Sequence, residues 1–409
     1  MIINFSVENF GSIKEKQTLS FLANKSDHLK DYYIIEPIKD LRLNKLALIY
    51  GANASGKTTI LKALDFLRKI CTEPFDKKTE RFDFEPFLFD ENTPEQNTKF
   101  EVEFIENKIR YFYEVELNKN YIVKEKLINH NPGKAVVFER TTDEKKELTS
   151  IKFGSKIPKR KSLEDNLEIF TLWNNTVLGG SLKANIDNDN IKNLANFFSR
   201  LSMLVTSSSK LEALTSNLIN SNLIKKNKFL KLLAKADFNI LDLKIEDTKK
   251  ENLFDKFKVD FTHKVSNKNY ELSLNYESQG TQRYYSVLTY LYMLLKYNNY
   301  VMIDELESSL HPDLFNHFLL TYLVNGKKES QLIATTHNRE ILNNRDLFRD
   351  DAIWFTDKNE DSATELYSLA DFDSSVVRDT SNVLNAYKSG KLGGVPNLGD
   401  YYIDLEDEE

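Results

Sequence analysis

The sequence predicts an α/β protein built on a central mixed or parallel sheet flanked by helices, and three observations predict it. The apolar run Leu46-Ala47-Leu48-Ile49-Tyr50 leads directly into Gly51-Ala52-Asn53-Ala54-Ser55-Gly56-Lys57-Thr58, and residues 59–67 then show helical periodicity. A second apolar run, Tyr300-Val301-Met302-Ile303, ends in Asp304-Glu305. A third, Gln331-Leu332-Ile333-Ala334-Thr335-Thr336, ends in His337.

The first unit has a specific physical meaning. Gly51 and Gly56 belong to a complete G-x-x-x-x-G-K-[ST] pattern and allow backbone angles that a side chain would forbid. Successive amide N–H groups can then face a phosphate, and the helix that opens at Gly56 adds its positive end. Strand, glycine loop and helix in that order mark a nucleotide site. The expected ATP ligands are Asn53, Ala54, Ser55, Gly56, Lys57, Thr58 and Thr59. Lys57 would reach the β- and γ-phosphates, and the Thr58 hydroxyl would sit on Mg²⁺.

The elements around this unit follow in order. Residues 1–45 alternate apolar and polar side chains (Ile3, Phe5, Val7, then Gln17, Leu19, Phe21), which predicts a hairpin or meander. Residues 100–105 and 110–117 alternate as two strands joined by Glu106-Asn107-Lys108, and 121–128 is a third. Near residue 150 the character changes. Residues 163–236 show helical spacing, as in Ile191, Leu194, Phe197, Phe198 and Leu201, without the sustained heptad of a coiled coil. Strand patterning resumes at 241–245, 257–261 and 270–274. The expected organisation is an N-lobe with the glycine loop and a β-subdomain (1–150), a mainly helical insert (151–270) and a C-lobe (271–409).

The later motifs complete the first. A buried strand ending in two acids brings Asp304 to the metal and Glu305 to the attacking water, where it can act as general base. His337, at the end of its own strand, can hydrogen-bond a γ-phosphate. Between them, Ser278-Gln279-Gly280 precedes a helical run of Tyr284, Val287, Leu288, Leu291 and Leu294, a second anion-binding helix start.

Bulk properties exclude other classes. The formal net charge of −6 gives no global basic footprint for nucleic acid. The clusters Lys156, Lys159, Arg160, Lys161 and Lys225, Lys226, Lys228, Lys231 read as solvated faces, and the acidic tail 404–409 as frayed. The one cysteine, Cys71, excludes an internal disulfide framework and a cysteine-rich zinc site. A cytoplasmic setting fits this usage. No apolar stretch is long enough to span a bilayer, and residues 1–8 read as a strand instead of a signal peptide.

With these motifs in this order, the chain resembles an ABC-type ATPase of the SMC/RecF/OLD branch. The resemblance runs from Asn9-Phe10-Gly11-Ser12 through the glycine loop, the Ser278–Gly280 signature, Asp304-Glu305 and the loop to Pro312, to His337. It is closest to the short abortive-infection and anti-phage ATPases of the AbiLi/RloA type and the PARIS system. Three stretches carry that closer likeness: 85–88, 363–369 and 387–396.

The resemblance implies Mg²⁺-dependent ATP hydrolysis in a homodimer, extendable to higher oligomers. Ser278 and Gly280 of one chain would close in trans over ATP held by the other. It implies an anti-phage sensor or scaffold controlling a separately encoded Toprim-type nuclease. Nucleic acid is compatible but not required, and no membrane is involved. Two departures stand out. No glutamine occupies a typical Q-loop context after the first helix. Asp371 and Asp373 form an Asp-x-Asp, but the 72 residues after His337 (409 less 337) are too few for a Toprim domain, so no nuclease activity is expected from this chain. A RecF-like DNA-repair or DNA-binding ATPase is the alternative reading.

Overall fold

The computed structural model describes residues 1–131, 133–155, 157–158, 160–236, 238–248, 250, 256–327, 329–372 and 382–396. Lys156, Lys159, Asp373 and the tail 404–409 lie outside the described residues.

The central sheet has five strands in the spatial order Tyr300–Ile303, Gln331–Thr335, Leu46–Gly51, Ile353–Lys358, Thr364–Ser368. The first four run parallel and the last is antiparallel, so the sheet is mixed. Its inner runs are apolar throughout because both faces are covered. Ala47, Ile49, Met302 and Ile333 enter one core, while Leu46, Leu48, Val301, Leu332 and Ala334 enter the other. Parallel strands put their C-terminal ends together, so Gly51, Ile303 and Thr335 open onto one end of the sheet. Ligand loops of open α/β sheets collect there.

The first core lies between this sheet and a seven-stranded antiparallel sheet. The order of the latter is Leu148–Phe153, Lys134–Asp143, Ile122–His130, Ile109–Leu117, Thr98–Glu106, Ile2–Glu8, Gln17–Ser20. Alternation along Ile109–Leu117 buries Tyr111, Tyr113, Val115 and Leu117. The hairpin before it turns on Asn107 and Lys108 at φ 50° and 62°, two left-handed residues as a type I′ turn demands. Helix Lys57–Thr72 crosses this core, burying Ile60, Leu61, Leu64, Leu67 and Cys71. Cys71 is a core residue beside the Tyr113 hydroxyl, and burial pushes its thiol pKa well up.

The second core covers the other sheet face with helices Gln279–Lys296 and Pro312–Asn325. Helices Ser208–Asn220 and Lys226–Leu233 and a three-stranded sheet (Ile240–Asp247, Phe257–Val265, Lys268–Ser273) pack outside them. Residues 151–270 therefore contribute to both cores. Helix Asp189–Arg200 stacks Phe197 on Phe104 at 4.0 Å, and Ser208–Asn220 sets Thr215 against Thr289 at 2.8 Å.

The structure adds three strands that alternation does not announce: Lys134–Asp143, Leu148–Phe153 and Ile353–Lys358. The first hides because Arg140, fully buried, occupies a core position and donates to the carbonyls of Ile122 and Trp173. Among the described residues no helix is long and apolar enough to cross a membrane.

Candidate nucleotide site

Gly51 ends the central strand, and both loop glycines are required by space. A Cβ on Gly51 would sit 2.4 Å from Ser55 Oγ and from Thr356 Oγ1. One on Gly56, whose φ is +107°, would sit 2.1 Å from Thr364 Oγ1. The antiparallel hairpin of Ile353–Lys358 and Thr364–Ser368 thus forms the bed of the loop. Ser55 Oγ lies 2.6 Å from Thr356 Oγ1, and Thr364 Oγ1 donates to Ser55 O at 2.9 Å. Ser12 Oγ joins Thr364 Oγ1 at 2.8 Å and Thr59 Oγ1 at 3.1 Å.

The Asn9–Ser12 turn and the 85–88 stretch belong to the same scaffold. Asn9, buried at φ 55°, donates through Nδ2 to Thr93 O and Gln96 O, and its Oδ1 accepts from Phe87 N. Gly11 N donates to Glu85 O at 2.7 Å. The 387–396 stretch also has a place here. Gly394, at φ 64°, would bring a Cβ within 3.5 Å of Gly51 Cα, and its carbonyl accepts from the Tyr387 hydroxyl.

Helix Lys57–Thr72 starts at Gly56, which has no side chain to cap it. Its first amides are therefore free for an anion, reinforced by the helix dipole. Asn53 and Ala54 are exposed, while Ser55 and Lys57 are buried. Lys57 Nζ donates to Gly51 O and Ala52 O, each at 3.0 Å. Burial lowers its pKa, against the pull of Asp304, Glu305 and Glu307. The Thr59 hydroxyl accepts from Ser12 Oγ at 3.1 Å.

Thr58 Oγ1 lies 3.1 and 3.0 Å from the two carboxylate oxygens of Asp304. Thr335 Oγ1 donates to Asp304 Oδ1 at 2.6 Å and accepts the Glu305 N–H at 2.8 Å. A hydroxyl and a carboxylate are hard oxygen donors, and Mg²⁺ takes one or two carboxylates alongside substrate phosphates and water. The donor set at Thr58 and Asp304 fits that ion. No group of three carboxylate, histidine or cysteine side chains gathers for a metal among the described residues.

Glu305 is exposed at the start of the loop, and His337 lies two residues beyond its strand. The His337 N–H donates to the Glu307 carboxylate. Desolvation, and then the nearby Lys57 ammonium, hold the imidazole below its usual pKa, so it is neutral at pH 7. The structure thus gathers Lys57, Thr58, Asp304, Glu305 and His337 at one sheet end. Ser278 and Gly280 start a helix on the opposite sheet face from Lys57–Thr72. Ser278 Oγ caps that helix at Thr281 N (3.1 Å), and a Cβ on Gly280 would lie 3.2 Å from Ser309 O. Among the described residues the Ser278 side chain does not hydrogen-bond the loop 51–58.

Sequence reasoning missed Thr335, Glu307, Arg283, Thr356 and Thr364 as parts of the site. The first three lie inside motifs already singled out, so position was a usable signal. Thr364 lies in the stretch 363–369, singled out only as a likeness, and Thr356 has no signal, because both act through backbone and hydroxyl contacts that any Thr could make.

Among solved structures, the chain is similar to an SMC head bound to the C-winged helix domain of ScpA, at 12% identity over 90% of this chain and 97% of that one, TM-score 0.47. The SMC head domain from Thermotoga maritima matches at 14% identity over 90% and 98%, TM-score 0.41. An Smc head domain with an extended coiled coil, bound to the C-terminal domain of ScpA and derived from Pyrococcus furiosus, matches at 14% over 90% and 96%, TM-score 0.38. No curated protein matches the sequence. A family pattern covers residues 46–343, from the strand before the glycine loop to beyond His337, and the chain belongs to that family, described as "AAA domain, putative AbiEii toxin, Type IV TA system".

Proposed function

We propose that this chain is a Mg²⁺-dependent ATPase that works as an ATP-controlled dimeric switch. The observation that carries the reading is the Thr58–Asp304 contact at 3.0–3.1 Å, with Lys57, Glu305 and His337 on the same sheet end. The amides of residues 53–59 and Lys57 hold the phosphates, while Thr58 and Asp304 hold the metal. Bound Mg²⁺ neutralises charge on the transferred phosphoryl group. Glu305 accepts a proton from the attacking water, and neutral His337 donates a hydrogen bond toward the γ-phosphate.

Ser278 and Gly280 act on a second chain's ATP. Their helix lies on the far sheet face from the loop helix, which favours contact between chains over contact within one. ATP then binds the closed dimer better than the open one, and hydrolysis removes the shared contact. The biological reading is an anti-phage, abortive-infection sensor in the cytoplasm that holds a separately encoded Toprim-type nuclease, with residues 151–270 as its docking surface. The family description supports the abortive-infection part of that reading.

Phosphate release is the test of the enzymatic part. The wild type should turn over Mg²⁺-ATP, and Lys57→Ala should neither bind nor hydrolyse it. Equal turnover by Lys57→Ala would contradict the site. Co-purification with the neighbouring gene product tests the biological part, and its failure in every nucleotide state would contradict that part alone.

A further inference from the structure

The loop after the two acids holds a backbone conformation that non-glycine residues seldom adopt. Glu305 sits at φ +46°. Such a residue persists only where its surroundings over-determine it, and these sites concentrate where chemistry is done. Here hydrogen bonds grip it from two sides. Thr335 Oγ1 accepts the Glu305 N–H at 2.8 Å, and the next residue, Leu306, donates to Thr335 O at 3.1 Å. Arg283 Nη2 donates to the Glu305 carbonyl at 2.9 Å and to the Asp304 carbonyl at 3.2 Å.

The first grip comes from the sheet. The second comes from helix Gln279–Lys296, within its first two turns. The same helix start touches the loop again where Gly280 approaches Ser309 O, and Ser309 is itself left-handed at φ 59°. One helix end therefore meets the loop at both of its left-handed residues. Arg283 is 9% exposed and directs Nη2 at both backbone carbonyls, with Nε unpartnered. A guanidinium placed in this way fixes a peptide's direction. Two bonds from one nitrogen tie the helix to the peptide, so a shift of the helix moves the peptide it holds.

We infer that Arg283 is a positioning residue that makes the placement of the Glu305 carboxylate depend on helix Gln279–Lys296. Contact at Ser278 and Gly280, the outer end of that helix, then sets the geometry of the water-polarising group in the same chain. The inference rests on the ATPase reading above and adds a route to it. ATP held by one chain presses on the signature of its partner, and Arg283 passes that contact to the partner's own Glu305.

The test compares Arg283→Gln and Arg283→Lys with wild type in the full chain, measuring kcat, KM and nucleotide-binding stoichiometry. Arg283→Gln should lower kcat by about 100-fold, the effect of misplacing a catalytic group by about 1 Å. KM should stay within about threefold and stoichiometry should be full, since phosphate and metal ligands are untouched. Arg283→Lys should recover part of the loss, because a shorter, freely rotating ammonium replaces the fixed planar nitrogen that reaches both carbonyls. A kcat within about threefold of wild type, or a stoichiometry that falls in step with kcat, overturns the inference. If Arg283→Gln does not fold, Arg283→Lys decides: full stoichiometry with a kcat about tenfold down supports the role, and wild-type kcat overturns it. A wild type without turnover overturns the ATPase reading and this inference together, whereas active wild type with equally active variants overturns only the role of Arg283.

Discussion

On one side of strand Leu46–Gly51 the neighbouring strands deliver Asp304, Glu305, Thr335 and His337; on the other they deliver Thr356, Thr364 and, from the turn beyond, Gly394. The first flank ends in groups that carry charge or protons. The second ends in hydroxyls and glycine that touch the loop's backbone, Ser55 and, beside the loop, Ser12 and the Tyr50 carbonyl. One flank therefore supplies chemistry and the other supplies shape. The glycine loop needs both, because an anion cradle made of backbone amides works only while the backbone is held.

The largest expected effect breaks the chemical flank. Glu305→Gln should lower kcat by roughly 10³-fold, within the range for a general base, while ATP affinity stays near wild type. Phosphate release and equilibrium binding read the two quantities separately. Wild-type turnover would remove Glu305 from its role.

Breaking the shape flank should give the opposite pattern. Thr364→Val removes the donor to Ser55 O and the contact with Ser12, leaving a buried carbonyl unpaired. That costs about 1–3 kcal/mol, and ATP should bind roughly tenfold more weakly with kcat at saturation little changed. Calorimetric binding and thermal melts measure both. A kcat loss at constant affinity would erase the distinction between the flanks.

A smaller effect concerns pH. The His337 imidazole is held below its ordinary value of about 6.5, so its protonation limb in kcat/KM, which reports the free enzyme, should lie below pH 6.5. The sign for stability follows from the same shift. In the window below 6.5 the unfolded chain binds more protons at this group than the folded one, so its contribution is lost as pH falls. His337→Gln should lower kcat and remove the acid limb that it controls. An acid limb that survives in His337→Gln assigns it to another group. The smallest effect is Asn9→Ala, which removes three hydrogen bonds around Phe87, Thr93 and Gln96 and should lower the melting temperature with little change in kcat.

The same two flanks explain what could be read from the chain. The chemical flank was legible because its residues announce themselves: an apolar run followed by Asp304-Glu305, and another followed by His337, have no common reason to be there except the site. The mixed sheet and the antiparallel lobe followed from runs and alternation. The shape flank was legible only as the stretches 363–369 and 387–396, without a role. Thr356 and Thr364 stand in a hairpin whose first strand, Ile353–Lys358, has no motif, and their contribution depends on a contact across about 300 residues of chain (356 less 55 is 301). The glycine turn at 393–394 was visible as a turn, but its packing on Gly51 is a tertiary fact. Arg283 lay in plain view beside the signature, yet its partners are two carbonyls, which leave no trace in side-chain chemistry.

The central claim, that a loop from one chain and a signature from another make one site, has a direct test in mixing. Lys57→Ala and Ser278→Arg chains should each be inactive alone. Mixed in equal amounts with ATP, they should form heterodimers, in which one of two sites pairs an intact loop with an intact signature, whereas neither chain alone dimerises. A mixture that stays monomeric with ATP, as its parts do, would contradict the account.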